Sequence, residues 1–343
     1  MARNTLTRAL IVGLGSIGQR HLRIARFLLP SADIRILRHQ KCESVPEYAD
    51  SCISSIDEAL DFAPQAAVIS SPSTFHMQTA QPLAEAGVHL LVEKPLAASL
   101  EGVGRLLSTC AARKLVLMTA YNLRFLPSLQ EYRRLIQSGR IGRVISVRCE
   151  IGQYLPSWRP ASDYRQGVSA SRALGGGALL ELSHEIDYLR WIFGEVAWVQ
   201  ASLSRQSDLE IDVEDTAHLI LGFDSGTDGR KLIANLNMDF VRQDTTRQCL
   251  AIGEQGSLRW NGLTGIVDLF PAGGAAWAPV FAHPPKRDES YALEWQHFID
   301  CIRTGSTPMI DGRDGLAVLS IIEAARLSAA TSYATPVAKE NQT

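Results

Sequence analysis

A lysine and a histidine in this chain are candidates for proton-transfer chemistry. Lys94 follows the apolar run "HLLV" and precedes Pro95, whose ring fixes the backbone and leaves no amide to satisfy. His184 lies in "GGGALLELSHEID", where glycines at 175–177 lead into an apolar segment that carries three acids. Partial burial would lower the pKa of the Lys94 ammonium towards the range that a general acid or base requires. The alternatives are a surface salt bridge from Lys94 to Glu93 and a hydrogen-bonded core histidine.

A glycine motif near the amino terminus predicts a dinucleotide site. Gly13-x-Gly15-x-x-Gly18 follows the apolar run "ALIV" and opens a segment of helical periodicity. The first glycine allows a tight turn, the second lets a pyrophosphate approach the backbone, and the third lets helix and strand pack closely. The amides of Ser16 and Ile17 at the start of the helix then bind phosphate. A glycine turn without a ligand is the alternative.

The residue after the second predicted strand bears on the choice of cofactor. A dinucleotide fold usually places an acid about 20 residues after the glycine motif, where it binds the ribose hydroxyls. Here that position is Arg38, in "ILRHQ". A guanidinium pairs with a 2′-phosphate, so the sequence favours NADP over NAD. A solvated arginine at a strand end is the alternative.

The elements that position these residues indicate two domains. Residues 1–121 alternate apolar runs with amphipathic segments, which predicts a doubly wound parallel sheet of α/β class. Residues 122–343 carry a helical piece at 128–138 and longer alternating runs, which predict an α+β domain with an open, mainly antiparallel sheet. Helices near 290–304 and 314–330 close the chain.

Composition argues against several classes of protein. The 34 basic and 36 acidic residues of the 343 give a net charge of −2 without a basic run, which argues against nucleic-acid and membrane-surface partners. No apolar run approaches the roughly 18 residues of a membrane span, and the amino terminus lacks a secretory pattern. The six cysteines form no Cys-x-x-Cys pair, which predicts neither a disulfide framework nor a thiolate zinc site. We therefore expect a cytoplasmic protein.

The segment around His184 is predicted to be one helix, from after Gly177 to before Gly194. In such a helix Glu181, His184 and Asp187 stand at successive i, i+3 positions and lie on one face. The "ExxH" spacing also occurs in metal sites, but Tyr188 stands where a second metal-binding histidine would be. We therefore expect no metal.

These motifs together resemble a known family. "GLGSIG", "SSPSTFH" (70–76), "EKP" (93–95), "YNLRF" (121–125), "WRP" (158–160) and "GGGALLELSHEID" fall in the order and at the spacing of the Gfo/Idh/MocA family. The resemblance covers about residues 8–330. It implies an NAD(P)-dependent oxidoreductase of sugars, nucleotide sugars or cyclitols, with a Rossmann domain and a second domain that commonly mediates homodimers or homotetramers.

The resemblance also implies roles for individual residues. Lys94 matches the lysine beside nicotinamide and substrate, and Glu93 the residue that helps to position it. The residues implied to contact the cofactor are Ser71, Pro72, His76, Asn122, Trp158 and Arg159, with Tyr291 a weaker match. His76 is alternatively a residue of a helix's first turn.

His184 matches the family's general acid/base. The aspartate that commonly stands four residues earlier is absent, and Glu181 stands three residues earlier instead. The resemblance therefore implies no clear role for Glu181, which either orients His184, binds a substrate hydroxyl or lies elsewhere. Asp187 is a candidate to fix the tautomer of His184.

A polar, aromatic loop at 157–172 is the candidate for substrate specificity, because loops on a rigid scaffold usually carry it. Tyr164 would stack on or hydrogen-bond a sugar, and Arg165 and Arg172 would bind a carboxylate or phosphate. The alternative is that these are ordinary solvated loop residues. Within the family, the loop and the helix after it resemble members linked to bacterial surface-sugar biosynthesis.

The sequence thus predicts hydride transfer between a nicotinamide and a secondary alcohol or ketone of a sugar or nucleotide sugar. Lys94 is expected to orient the reacting oxygen and His184 to transfer its proton. One alternative is an enzyme that retains its cofactor and couples two sugars. Another is a dinucleotide-binding sensor without turnover, which would need the glycine turn but no proton-transfer residues.

Overall fold

The computed structural model describes residues 6–38, 44–224 and 230–338. The chain forms two compact units, of which the first contains residues 1–122 and 288–319 and the second contains residues 123–287 and 320–343. The sequence division at residue 121 assigns everything after it to the second domain. The structure differs at 288–319, which return to the first unit.

The first unit is built on a six-stranded parallel sheet in the order β3-β2-β1-β4-β5-β6. The strands are β1 Arg8–Val12, β2 Asp33–Leu37, β3 Ser51–Ile53, β4 Ala66–Ile69, β5 His89–Glu93 and β6 Leu117–Ala120. Helices α1 Ser16–Leu28, α2 Ile56–Phe62, α3 His76–Glu85 and α4 Val103–Arg113 connect them. β1, β4 and β5 are almost wholly buried, as parallel strands covered on both faces are. The predicted Rossmann sheet is confirmed.

Helix α1 begins directly after the glycine turn. Gly15 precedes it with an extended backbone, and the buried face contains Gly18, His21, Leu22 and Ala25. This i, i+3, i+4, i+7 spacing places one face of the helix in the core. His21 therefore points inward from the helix that follows the motif.

The second unit is built on a nine-stranded sheet in the order β14-β13-β12-β11-β7-β10-β9-β8-β15. Its elements up to β14 are α5 Pro127–Gln137, β7 Val144–Gly152, α6 Ala178–Glu181, α7 His184–Phe193, β8 Val196–Ser204, β9 Thr216–Phe223, β10 Ile233–Asp239, β11 Thr246–Gly253, β12 Gly256–Asn261, β13 Ile266–Pro271 and β14 Ala278–Ala282; β15 is Thr335–Pro336. The prediction of a mainly antiparallel sheet is confirmed. One pair, β7 with β10, is parallel.

The predicted single helix from 178 to 193 is two helices. The first ends at Glu181, and the second begins at His184. Between them, Leu182 leaves helical geometry with φ −99° and ψ 22°. Glu181 and His184 therefore do not share a helix face, and the i, i+3 relationship expected from their spacing is wrong.

Two further helices, α8 Glu289–Thr304 and α9 Gly312–Thr331, complete the described structure. α8 packs on α1 in the first unit, which explains why residues 288–319 belong there. In the part of the chain that the structure describes, no helix has the length and apolar character needed to cross a membrane.

Most of the cysteines that the structure describes are free thiols. Cys110, Cys149, Cys249 and Cys301 are free and buried. Cys52, in β3, is disulfide-bonded. The sequence did not single out Cys52, because spacing along the chain does not reveal which thiols the fold brings together.

Candidate active site

The glycine turn after β1 has the geometry that a bound pyrophosphate requires. Gly13 has φ +88°, and a Cβ there would lie 2.9 Å from the Ser70 carbonyl oxygen. A Cβ on Gly18 would lie 2.2 Å from the carbonyl oxygen of Gly13, so helix and turn touch backbone to backbone. A Cβ on Gly15 would meet nothing within 4 Å. The open space therefore lies at Gly15, where the amino terminus of α1 begins.

The loop after β4 carries buried hydroxyl groups beside this turn. The Ser70 hydroxyl donates to the Val12 carbonyl oxygen at 2.7 Å. The hydroxyl oxygens of Ser71 and Ser73 are buried and have no hydrogen-bond partner among the described residues. A buried hydroxyl without a partner costs about 1–3 kcal/mol, so ribose or amide groups of a dinucleotide would complete these contacts. Together with the open space at Gly15, these residues fit the cofactor.

His76 ties this loop to the segment after β5. It is the first residue of α3, as its alternative interpretation proposed, and it is buried. Its Nε2 donates to the Ser71 carbonyl oxygen at 2.8 Å, and its Nδ1 lies 3.3 Å from the Leu96 carbonyl oxygen. Burial lowers the pKa of His76. The ring positions the backbone at Ser71, while Pro72 caps the short turn at 73–75.

Lys94 stands at the carboxyl edge of the parallel sheet, directly after β5, and is half-buried. It precedes Pro95 across a cis peptide bond. Its backbone N–H donates to Glu93 Oε2 at 3.0 Å. Burial is the largest influence on Glu93 and opposes its charge, but the contacts of the carboxylate with His21 and Lys94 together outweigh burial and lower the pKa of the Glu93 carboxyl. A buried carboxylate therefore lies next to Lys94.

Two other predicted cofactor residues contact α8 in the same unit. The Asn122 side-chain amide donates to the Ser290 hydroxyl at 2.7 Å. The ring of Tyr291 lies edge-on to that of His21, and the guanidinium of Arg20 stacks 4.6 Å from the Tyr291 ring centroid. Both are thus held by partners within the first unit.

Arg38 is the first residue after β2. Its backbone N–H donates to the Ile53 carbonyl oxygen at 3.2 Å, and the N–H of Gly13 donates to the Leu37 carbonyl oxygen at 2.9 Å. The chain position of Arg38 is therefore next to the glycine turn. No carboxylate follows β2 at this position, in agreement with the sequence.

In the second unit, His184 begins α7 and is 9% exposed. The neighbouring Glu185 is fully buried and accepts a hydrogen bond from Arg247 Nε at 2.8 Å. Asp187 was predicted to fix the tautomer of His184. Its carboxylate accepts hydrogen bonds from Arg124, from Nε at 2.9 Å and from Nη2 at 2.6 Å. Two charge pairs, with both carboxylates buried, thus hold the first turn of the helix that carries His184.

Glu181 ends α6 and faces the polar loop. Its Oε2 accepts a hydrogen bond from the Ser169 hydroxyl at 2.9 Å. At the other end of α6, Glu214 Oε1 accepts the Leu179 N–H at 3.0 Å. Gly177, with φ +106°, leaves room for that carboxylate, which a Cβ would meet at 2.4 Å.

The arginines proposed to bind substrate have partners within their own loop region. Arg165 binds Asp163 and Glu210, in each case at 2.8 Å. Arg172 Nη2 donates to the Asp212 carbonyl oxygen at 3.0 Å. Glu210 in turn donates its N–H to the Tyr164 hydroxyl at 3.3 Å. A substrate anion would have to compete with these contacts or replace them.

Trp158 and Arg159, the predicted Trp-Arg pair, lie in different environments. Trp158 donates its indole N–H to the Gln153 carbonyl oxygen at 3.2 Å and packs edge-on against Phe240. Arg159 is exposed. Trp158 thus contributes to packing in the second unit, whereas Arg159 faces solvent.

Two observations bear on other kinds of site. Within residues 6–38, 44–224 and 230–338, no group of three or more His, Cys, Asp or Glu side chains is placed to hold a metal ion. A cavity of about 290 Å³ lies where β4 and β5 begin, with Gln65 and His89 among its lining. It is at the opposite edge of the sheet from Lys94 and contains none of the predicted site residues.

Several buried polar residues were not predicted from the sequence. His21 lies three residues after the glycine motif and Arg124 lies within "YNLRF", so both had a local signal. Trp295 and Glu294 sit in α8 without one, because only the fold brings that helix to α1.

Two family models match separate parts of the chain. Residues 7–121 match the model of an oxidoreductase family with an NAD-binding Rossmann fold, and residues 129–259 match the GFO/IDH/MocA C-terminal domain. The rhizopine catabolism protein MocA of Rhizobium meliloti is 26% identical over 338 residues, which cover 92% of each chain. The myo-inositol 2-dehydrogenase of Thermotoga maritima is 27% identical over 335 residues, covering 93% of this chain and 95% of that one.

Solved structures show the same fold. A levoglucosan dehydrogenase in complex with NADH has a TM-score of 0.84 at 22% identity, covering 97% of this chain and 99% of that one. The WlbA dehydrogenase from Bordetella pertussis, in complex with NADH and UDP-GlcNAcA, has a TM-score of 0.79 at 24% identity, covering 98% and 100%.

Proposed function

This chain belongs to the Gfo/Idh/MocA family of NAD-binding oxidoreductases, and from that premise we propose that it transfers hydride between a nicotinamide cofactor and a secondary alcohol or ketone of a sugar or nucleotide sugar. The observation that carries the proposal is the position of Lys94. It follows β5 at the carboxyl edge of the sheet whose β1 leads into the glycine turn. Ligands of open parallel sheets bind at that edge.

The cofactor, when bound, supplies the hydride acceptor for oxidation and the hydride donor for reduction. Lys94 binds the reacting oxygen with its ammonium group and stabilises negative charge as the O–H bond breaks. His184 accepts the hydroxyl proton during oxidation and returns it to the oxygen during reduction. The glycine turn and the Ser71 and Ser73 hydroxyls bind and orient the dinucleotide.

The substrate class rests on the relatives and on the loop at 157–172. Inositol and levoglucosan, named for two of the relatives, are polyhydroxylated rings, and the WlbA structure contains a nucleotide sugar. Arg165 and Arg172 are exposed in the same loop region. We assign them to the anionic part of a nucleotide sugar or sugar acid, with Tyr164 against the sugar ring.

The proposal is tested by a substrate screen. Purified protein is offered aldoses, cyclitols, sugar acids and nucleotide sugars with NAD and NADP in turn, and nicotinamide absorbance is followed. Turnover of one substrate class, lost in Lys94→Ala, supports the proposal. Cofactor binding without turnover of any member would overturn it and leave a sensor. Turnover of paired sugars without exchange of free cofactor would instead identify an enzyme that retains its cofactor.

A further inference from the structure

We infer that His21 and Trp295 are positioning residues for Lys94: the Trp295 indole keeps His21 neutral with its proton on Nε2, and His21 in turn holds Glu93 as a full carboxylate beside Lys94. This inference rests on the proposed role of Lys94. It concerns residues in α1, β5 and α8, all of which belong to the first unit.

The tautomer of His21 follows from its contact with Trp295. The indole Nε1 lies 2.9 Å from His21 Nδ1, and both side chains are buried. An indole N–H only donates, so Nδ1 must present its lone pair. A neutral imidazole then carries its single proton on Nε2. The contact with Trp295 therefore excludes a proton on Nδ1.

The charge state of Glu93 follows from the next two contacts. His21 Nε2, which carries the proton, lies 2.8 Å from Glu93 Oε1 and donates to it. The other oxygen, Oε2, accepts the backbone N–H of Lys94 at 3.0 Å. Both carboxyl oxygens accept hydrogen bonds from N–H groups, which favours the ionised form of Glu93, in agreement with its lowered pKa. Its charge is not cancelled by an imidazolium.

The other charged groups around His21 come from α1 and α8. Arg20 stacks on Tyr291, whose ring stands edge-on to the imidazole, and burial raises the pKa of the Tyr291 hydroxyl, which stays neutral. Glu294 is fully buried, and neither of its carboxyl oxygens has a hydrogen-bond partner among the described residues. Burial, and then the charge of Glu93, raises the pKa of Glu294 well above its ordinary value. Two neighbouring carboxyls thus have opposite states, and Glu93 carries the charge.

This arrangement gives the Trp295 N–H a function beyond packing. Without it, Nδ1 of His21 is free to bind a proton, and an imidazolium forms beside Glu93. The carboxylate would then be shared between two cations, and its attraction for the Lys94 ammonium would weaken. The predicted result is a less well-positioned Lys94, with the largest effect at acidic pH.

Trp295→Phe removes the N–H and keeps an aromatic ring. Trp260→Phe is the matched control, because Trp260 is also fully buried and donates its N–H to the Ser128 hydroxyl at 3.0 Å, but in the second unit and to no histidine. Nitrogen-15 spectra of histidine-labelled protein, assigned with His21→Gln, give the protonation state of the ring. The turnover number, kcat, is measured in parallel.

In wild-type protein, His21 should give the signals of a neutral ring with its proton on Nε2. Trp295→Phe should convert these to imidazolium signals and lower kcat about tenfold, as small displacements of a reacting group do. Trp260→Phe should change neither. An imidazolium in the wild type, or equal spectra and kcat for the two phenylalanine variants, would overturn the inference.

The spectra also separate this inference from the proposed function. If Lys94→Ala leaves turnover unchanged while Trp295→Phe protonates His21, the proposed role of Lys94 fails and the assigned tautomer stands. If Lys94→Ala abolishes turnover but His21 is already an imidazolium, the positioning inference fails alone.

Discussion

Arg124 donates two hydrogen bonds to the carboxylate of Asp187, and the side chains are only 2% and 1% exposed. The planar guanidinium and carboxylate match in this bidentate geometry. Asp187 lies three residues after His184 in the same helix, so the Arg124–Asp187 pair fixes the orientation of the helix turn that presents the proposed acid/base. A buried pair of this kind is sensitive to the loss of either partner.

Arg124→Met should lower the free energy of unfolding by about 3–5 kcal/mol, because it leaves the Asp187 charge buried without a counterion. Urea denaturation measures the change. Arg105→Met is the control, since the pair of Arg105 with Glu85 is largely exposed, at 71% and 46%, and such pairs contribute about 0–1 kcal/mol. Equal losses in the two variants would show that the buried pair is unimportant.

His184→Asn and Lys94→Ala should each lower kcat/KM by about 10²- to 10⁴-fold, as the loss of a proton-transfer group does. If the two residues act on the same oxygen, the double variant should lose much less than the product of the single effects. Steady-state kinetics with the substrate found in the screen measures all three. Single variants within a few-fold of wild type would refute the catalytic assignment.

If the Arg38 guanidinium pairs with the 2′-phosphate that only NADP carries, as the sequence predicts, Arg38→Ala should weaken NADP binding about tenfold and leave NAD binding nearly unchanged. Calorimetric titration with both cofactors measures the ratio. Arg105→Ala, which removes an exposed charge elsewhere, controls for the change in net charge. Equal losses for the two cofactors would defeat the 2′-phosphate proposal.

Glu294 predicts an unusual dependence of stability on pH. Its folded pKa is raised above the ordinary value of 4.5, so the folded protein keeps a proton that the unfolded chain releases. The stability from this residue is complete below pH 4.5 and is lost as pH rises towards the folded pKa, by about 1.4 kcal/mol per pH unit.

Glu294→Gln carries no charge at any pH and should therefore gain on wild type in free energy of unfolding as the pH is raised from about 5 to about 8. Denaturation of both proteins across this range gives the difference. Glu58→Gln is the contrasting variant. Hydrogen bonds from Ser54 lower the pKa of Glu58, so the difference in free energy of unfolding between this variant and wild type should change only at pH values below 4.5. A constant difference between wild type and Glu294→Gln would contradict the neutral assignment.

Much of this architecture is predictable from local pattern. The buried runs ending at Val12, Ile69 and Glu93 became parallel strands, and the glycine motif lies where strand and helix meet. Period and glycine position are sufficient here, because parallel strands are apolar throughout and the turn needs a positive φ at Gly13.

The remaining features depend on contacts between distant segments. His21 and Trp295 meet across 274 residues, and nothing near either residue indicates the other. The break between Glu181 and His184 was equally hidden, because the intervening Leu182 and Ser183 are compatible with a continuous helix by propensity. Tertiary packing determines both the His21–Trp295 contact and the helix break, and the periodicity of the local sequence does not indicate either.

Gly15 and Gly18 of the first motif should be required for different reasons. A side chain at Gly18 would collide with the protein's own backbone, whereas one at Gly15 would enter open space. A library sorted only for folded, expressed protein should therefore purge variants at position 18 and retain them at position 15. Sorting the same library for dinucleotide capture should purge both. The difference between the two outcomes would show which positions of the turn are required for folding and which for binding the ligand.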